Sequence, residues 1–510
     1  MLSGRRNADV DERKSAQIPN GDAGAQAYTD AVKRIPLFLL VPFFAGIWAF
    51  GQGTPRPDNA INAGAELRPG ELAREVRCAA NAEQSYALYL PKNYTASRKW
   101  PVAYAFDPAA RGNVPLELMK DAAEKYGFIL AGSNNSRNGP RKAEGEAAQA
   151  VMQDVQARLA IDNRRSYFAG FSGGARVAAL IAQGCQCAAG VLLSGAGFPQ
   201  DAPPSREVAF PVFAAVGTYD FNYVEMVQLD AKLQALGYTH FMRQFDGPHQ
   251  WAPAAVMEEA FAWFRLVAMK EGREPRDDVF VALQSSQAME RARSIEQSGD
   301  LYAAWKEYRQ AERTFDGFTA AAALRARAEA LEKEKAVREG AKREEREFTE
   351  QRELTADIFA RMAALGQNSV NRADVRLQVE QQILALYGGT EHEKHAEKLR
   401  VLKRALADVF AQAMETGEAR LRAKDAARAQ DYFQLASDAA PDSLWALSDL
   451  AVAEAEDSNR KGALETLRHA REKTKDFTQF SEWLKEEPAF ASWRNTADFR
   501  ALLVDPAPQR

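Results

Sequence analysis

Three residues at the ends of three apolar runs carry the chemistry open to this sequence. The stretch Tyr167-Phe168-Ala169-Gly170-Phe171-Ser172-Gly173-Gly174-Ala175-Arg176-Val177 has the form of a strand, a glycine-flanked serine and a helix. A serine on so tight a turn adopts strained backbone angles, and the residues two before and two after it must be small or the strand and helix collide; Gly170 and Gly174 meet that demand. The turn lifts the Ser172 hydroxyl above a sheet edge and sets the Gly173 amide at a helix N-terminus, where a developing oxyanion is favoured. A serine is a poor nucleophile without a base to take its proton and a carboxylate to hold that base in one tautomer. The run Pro211–Thr218 leads into Tyr219-Asp220, and the run His240–Phe245 leads into Asp246-Gly247-Pro248-His249-Gln250-Trp251. Asp220 is therefore expected as the orienting acid and His249 as the base. Asp246 is the rival acid, but its place before Gly247-Pro248 suits a turn-former. His240 opens a strand, away from the carboxyl ends where ligands of parallel sheets bind.

The elements that must position these residues alternate from residue 71 to 272. Strands are expected at 85–90, 102–106, 128–132, 166–169, 188–194, 211–218 and 240–245. Helices are expected at 116–126, 145–159, 175–183, 224–236 and 252–269. Near-continuous apolar strands between helices predict an α/β fold, a doubly wound, mostly parallel sheet covered on both faces. A second oxyanion donor is expected in the turn Asp107-Pro108-Ala109-Ala110; Pro108 has no N–H, which points to Ala109, with Asp107 next. Phe171, Tyr219 and Trp251 are expected to line the substrate pocket, with Asn222 and Tyr223 as further candidates. The connection 195–210, rich in proline and without a helical pattern, predicts a site with no inserted cap.

These segments resemble a known family. Gly170-Phe171-Ser172-Gly173-Gly174, Gly217-Thr218-Tyr219-Asp220 and Gly247-Pro248-His249-Gln250-Trp251 look like the α/β-hydrolase superfamily, most like its esterase branch of polyhydroxybutyrate depolymerases, feruloyl esterases and dienelactone-hydrolase-like enzymes. Ser85-Tyr86-Ala87-Leu88-Tyr89-Leu90-Pro91, followed by Trp100-Pro101-Val102, resembles that branch's entry strands. The resemblance covers roughly residues 70 to 270. It implies a serine esterase with a Ser-His-Asp triad, acting on small or polymeric carboxylic esters with no metal or organic cofactor; a serine peptidase or thioesterase on the same fold, or a vestigial hydrolase serving as a helical scaffold, is the alternative. One departure is plain: many members carry His-Gly where this chain has Asp107-Pro108, which bears on the oxyanion geometry.

Past Glu274-Pro275 the strand patterns stop, and residues 276–510 read as an all-α domain. Ala429, Phe433 and Ala436 recur as Ala463, Leu467 and Ala470, an offset of about 34 residues, the tetratricopeptide period. Ala304, Tyr308 and Ala311 fit the same small-large-small face, as stacked helix pairs require. The match resembles degenerate tetratricopeptide repeats, with generic helical packing as the alternative, and suggests a protein partner or substrate for this domain. Residues 325–354, a run of mixed charge, read as one long solvated helix. His392 and His395 lack the spacing of a zinc-protease helix, so no metal site is expected. Residues 480–503 read as an amphipathic end segment broken at Pro488.

With 66 basic against 70 acidic side chains, the chain carries no excess charge that would favour nucleic acid. At its start, a polar leader (1–34) ends in Lys33-Arg34 and precedes the apolar run 35–50, then a linker at 51–70. The apolar run has the shape of an export-signal core, or alternatively of a membrane anchor, and a translation start near Val32 would explain the long leader. Either version places the rest outside the cytoplasm, periplasmic or secreted, with membrane contact only through that segment. Three cysteines exclude a disulfide framework, leaving Cys78 to pair with Cys185 or Cys187.

Overall fold

A computed structural model describes residues 67–318, 321–474 and 477–504. The leader, the apolar run and most of the linker lie outside the described residues. Eight strands form one sheet: β1 (Leu72–Arg77), β2 (Ser85–Tyr89), β3 (Trp100–Phe106), β4 (Ile129–Ser133), β5 (Ile161–Phe171), β6 (Ala188–Ser194), β7 (Val212–Gly217) and β8 (His240–Phe245). Their order is β1-β2-β4-β3-β5-β6-β7-β8, antiparallel at β1/β2 and β2/β4 and parallel elsewhere. This is the α/β-hydrolase fold. Strand β1 is an addition to the expected elements: of its six residues only Val76 is buried, so it has no apolar run to announce it.

Helices cover both faces. On one lie α2 (Arg141–Arg158), α3 (Gly173–Cys185) and α4 (Tyr223–Leu236), whose Val151, Ala178 and Met226 pack on Tyr104, Phe168 and Val191. On the other lie α1 (Asn113–Tyr126) and α5 (Ala254–Lys270), whose Met119, Phe261 and Phe264 pack on Ala103, Tyr167 and Phe213. Helix α5 is buried nearly all round, because it has two partners. Phe261 and Phe264 face the sheet, while Ala262, Leu266 and Met269 join Phe280, Val281, Ala288 and Tyr308 of the helices that follow.

Those helices are α6 (Asp278–Gln297), α7 (Leu301–Phe315), α8 (Ala321–Glu332), α9 (Lys335–Leu365), α10 (Arg372–His392), α11 (Ala396–Arg422), α12 (Ala426–Ala439), α13 (Leu444–Glu456), α14 (Arg460–Lys473), α15 (Phe477–Glu486) and α16 (Ala497–Leu502). The single helix expected over 325–354 is two, α8 and α9, parted at Lys333-Glu334. Nor is α9 wholly solvated: Val337, Gln351, Thr355 and Ile358 are buried on one side. The repeat positions Ala429, Phe433, Ala436, Ala463, Leu467 and Ala470 are all fully buried. In the end segment a 3-10 turn (Pro488–Trp493) follows α15, and Phe480, Phe490 and Phe499 are buried together. Among the described residues no helix is long and apolar enough to cross a membrane.

The only disulfide among the described residues joins Cys185 to Cys187 at the end of α3, and Cys78 is a free, buried thiol. This corrects the expected pairing. Cys78 follows β1 at one edge of the sheet, with β2, β4 and β3 between it and the strand β5 that leads into α3, and burial pushes its thiol up to about 11.

Candidate active site

The turn between β5 and α3 is built as its glycines require. Ser172 has φ 52° and ψ −121°, a conformation costly for any residue with a side chain. A Cβ on Gly170 would stand 2.0 Å from the Gly174 carbonyl oxygen, and one on Gly174 would stand 2.0 Å from that of Phe106. No side chain fits at either position. The Ser172 N–H donates to Ser194 O (2.9 Å), which ties the turn to the end of β6.

Gly217, at the end of β7, lets the loop after β8 come close: a Cβ there would meet Gly247 O at 2.3 Å. Thr218 N–H donates to Phe245 O (2.9 Å) and Tyr219 N–H to Gly247 O (3.1 Å). The two loops so joined carry Asp220 and His249. His249 Nδ1 lies 2.9 Å from Asp220 Oδ1, and His249 Nε2 lies 2.9 Å from Ser172 Oγ. With a carboxylate at Nδ1 that nitrogen holds the proton, leaving Nε2 as an acceptor for the serine hydroxyl. Phe171 and Phe221 flank the imidazole, with ring centres 4.6 and 4.0 Å away. Asp220 is fully buried, and its Oδ1 also accepts the Asn222 N–H (2.8 Å). Asp246, the rival acid, is exposed and accepts from the Tyr219 hydroxyl instead, without touching His249. His240 binds the Tyr238 carbonyl through Nδ1 (2.9 Å) and takes no part.

The oxyanion side differs from expectation. Gly173 opens α3, so its N–H has no intrahelical acceptor. The Ala109 N–H, however, donates to Asp107 Oδ1 (2.9 Å), and the Ala110 N–H to Asp107 O (3.0 Å). The physical reason is the Asp-Pro turn itself: a short carboxylate accepts from the amide two residues on. Asp107 is fully buried and also binds Arg111 Nε (2.9 Å), Arg111 Nη2 (3.0 Å) and the Trp251 indole N–H (2.8 Å). It is the strut between the turn after β3 and the histidine loop.

Trp251, expected as pocket lining, is correspondingly buried, with its polar atom committed to that strut. Phe171 is buried against His249, and Tyr219 is half-buried at the rim under the Lys403 ammonium, 4.6 Å from its ring centre. Asn222 donates to Gly195 O (2.7 Å), and Tyr223 is buried at the start of α4.

Three neighbours were not foreseen. Phe221 adjoins Asp220 in sequence, which was the available signal. Asn138 lies over Gly173, its Oδ1 1.8 Å from where a Cβ would stand, and its N–H donates to Pro108 O (2.8 Å). Arg404 reaches the acid loop from α11. The connection 195–210 holds no helix, as its prolines imply, yet α9 and α11 pack on residues 218–223, so the acid side of the site is not bare.

No protein-family model matches this chain, and no curated protein matches it. Among solved structures it is similar to the S-formylglutathione hydrolase of Staphylococcus aureus (12% identity, covering 39% of this chain and 99% of that one, TM-score 0.31). It is likewise similar to fluorophosphonate-binding serine hydrolase F of the same organism (12%, 38% and 98%, TM-score 0.32) and to esterase B of Lactobacillus rhamnosis (13%, 41% and 91%, TM-score 0.33). No chemistry is transferred from likenesses this distant.

Proposed function

We propose that this chain is a serine hydrolase that cleaves carboxylic esters through an acyl-enzyme. The observation that carries the reading is the unbroken path from Ser172 Oγ through His249 to Asp220, 2.9 Å at each step. His249 Nε2 takes the Ser172 proton as Oγ attacks the ester carbonyl. Asp220 then stabilises the imidazolium and holds the ring, with Phe171 and Phe221, in the plane that reaches both partners. Gly173 N–H receives the oxyanion. Ala109 cannot serve as second donor while its amide is held by Asp107, and the Asn138 carboxamide over Gly173 is the candidate in its place. Collapse of the tetrahedral intermediate sends the proton from His249 to the leaving alcohol; water, deprotonated by the same base, then releases the acid. The chemistry asks for neither metal nor organic cofactor.

The helical part is read as a tetratricopeptide-like domain for a protein partner or the substrate, a reading favoured by burial of both copies of the small-large-small motif. The chain is read as exported, on the apolar run 35–50, and a Cys185–Cys187 bridge accords with an oxidising compartment.

A fluorophosphonate probe should label the wild-type chain and not S172A, and S172A should lose about 10⁴-fold or more of kcat/KM on nitrophenyl esters. Activity on peptide anilides alone would overturn the ester assignment in favour of a peptidase. Failure of the wild type to label beside a control esterase would make the hydrolase vestigial and the helical domain the working part.

A further inference from the structure

Arg404 of α11 is 1% exposed, a charge withdrawn from water deep in the all-α part of the chain. Its Nε donates to Gln351 Oε1 (2.8 Å) and its Nη2 to Glu347 Oε2 (3.0 Å), both on α9. Its Nη1 points to the carbonyl of Thr218 (3.5 Å), and its guanidinium stands 4.7 Å from the ring centre of Tyr223. Thr218 and Tyr223 bracket Asp220, two residues before it and three after. Within the acid loop Tyr223 N–H donates to Asp220 O (3.0 Å), Asn222 N–H to Asp220 Oδ1 (2.8 Å) and Asn222 Nδ2 to Gly195 O (2.7 Å), while Asp220 Oδ2 has no hydrogen-bond partner among the described residues.

Burying an arginine costs more than burying a leucine of like volume, so such a side chain adds little to stability and much to the uniqueness of one arrangement. Here that arrangement is of α9 and α11 against the loop that carries the acid. The other contacts agree: Phe348 of α9 packs on Tyr223 (6.1 Å between ring centres), and the Tyr223 hydroxyl faces Glu344 (3.5 Å). The charged groups around the guanidinium are Glu344 and Glu347 from α9, Arg400, Lys403 and Asp408 from α11, and Asp220 itself.

We propose that Arg404 is a positioning residue for the reaction: from the helical domain it clamps both ends of the segment 218–223 and so holds the Asp220 carboxylate on His249 Nδ1. The inference rests on the serine-hydrolase reading for its activity readout, and it makes the helical domain part of the catalytic unit. A loosened clamp lets Asp220 drift from Nδ1. The imidazolium then loses its counter-charge, and the serine is deprotonated in a poorer geometry.

The test uses the full chain. Arg404→Met removes every donor at near-constant length, and it should lower kcat by about 10- to 100-fold with KM within about twofold, because displacement of a catalytic group by about 1 Å costs that much. A merely structural role would lower activity without disturbing the His249–Asp220 hydrogen bond. Arg404→Lys, which keeps the charge and one reach of donor, should recover an intermediate kcat. Arg372→Met is the control: Arg372 binds Asp431 and Ala427 O inside the helical domain, so kcat and KM should stay at wild-type values.

One readout needs no substrate, so it separates this inference from the activity reading. The low-field proton resonance of the His249–Asp220 hydrogen bond should be sharp in the wild type and exchange-broadened in Arg404→Met. Should Arg404→Met not fold, Arg404→Lys decides by the same measurements. A folded Arg404 variant with wild-type kcat and resonance overturns the clamp. A wild type that shows the resonance but hydrolyses no ester overturns the activity reading alone, and the effect of Arg404→Met on that resonance still decides the clamp.

Discussion

The sheet-built half and the helix-built half of this chain close their interiors by different means. In the hydrolase-fold part backbone repeatedly meets backbone: a Cβ on Gly112, Gly132, Gly174 or Gly217 would stand 2.0–2.3 Å from a carbonyl oxygen of another segment, and one on Gly170 2.0 Å from that of Gly174 across the turn, while Gly173 and Gly190 meet the Asn138 and Phe264 side chains. In the helical part the crowded glycines meet side chains instead, Gly340 at Tyr302 and Gly417 at Phe433, and Gly388 meets nothing within 4 Å. Polar groups follow the same division. Asp107 gathers partners from as far along the chain as Trp251, whereas most ion pairs of the helices join residues on the same or neighbouring helices. Convergence of three distant side chains within hydrogen-bond reach needs the first kind of construction. Stacked helices need only complementary neighbours, and they tolerate change that the sheet edge does not. Arg404 is one place where the tolerant half touches the intolerant one, beside the packing of α5 on α6 and α7.

The largest departure from that division should come from breaking Asp107. Asp107→Ala strips the acceptor from the Trp251 indole and the Ala109 amide together, both partly or wholly buried, and should lower stability by about 3 kcal/mol as read by chemical unfolding. The same substitution frees the turn after β3 and the histidine loop from each other, so kcat should fall with it. A variant that kept wild-type stability would mean that the strut is decorative, and that the hydrolase half is no more interlocked than the helices.

How far the sequence disclosed these features follows the range of the interactions. The elbow, Asp220 and His249 were legible because each is fixed by its own strand and turn: apolar run, small residue, functional residue. Strand β1 was not, since an edge strand reading Leu-Ala-Arg-Glu-Val-Arg buries a single side chain. The engagement of the Ala109 amide by Asp107 turns on a carboxylate two residues away, which the pattern of backbone amides in that turn does not reveal. The approach of Asn138 to Gly173 is a contact between loops that no local pattern encodes. Arg404 hid best, for an arginine among the mixed charges of an all-α segment carries no local sign of burial. Only the fold shows that α11 turns this one residue towards Thr218 and Tyr223.

A middle-sized effect tests whether the seam between the halves shares the hydrolase half's stringency. Asp408 of α11 accepts from Gln351 Nε2 (2.6 Å); burial pushes its carboxyl up to about 7, with nearby Asp220 adding to the shift and Arg404 opposing it. In the unfolded chain this carboxyl ionises near pH 4. Between about pH 4 and 7 the folded protein therefore holds a proton that the unfolded one releases, so stability falls as pH rises through that window and levels off above it. Asp408→Asn keeps an acceptor for Gln351 and removes the titration. It should flatten this contribution and stabilise the protein above pH 7 by on the order of 2 kcal/mol, measured as the pH dependence of the unfolding midpoint. An unchanged profile would place Asp408 in water and the seam among the tolerant contacts.

The smallest effect probes the tolerant half by itself. Gly388 lies inside α10, well before its end at His392, and an added Cβ would meet no atom within 4 Å. A helix-interior glycine costs roughly 0.5–1 kcal/mol relative to alanine, through the backbone freedom it surrenders on folding. Gly388→Ala should therefore raise stability by about that much in thermal unfolding and leave ester hydrolysis untouched. The sign is what matters. The same chemical change at Gly174 would drive a methyl group into the Phe106 carbonyl, so a gain at 388 set against a loss at 174 would measure, with one substitution, how differently the two halves are closed.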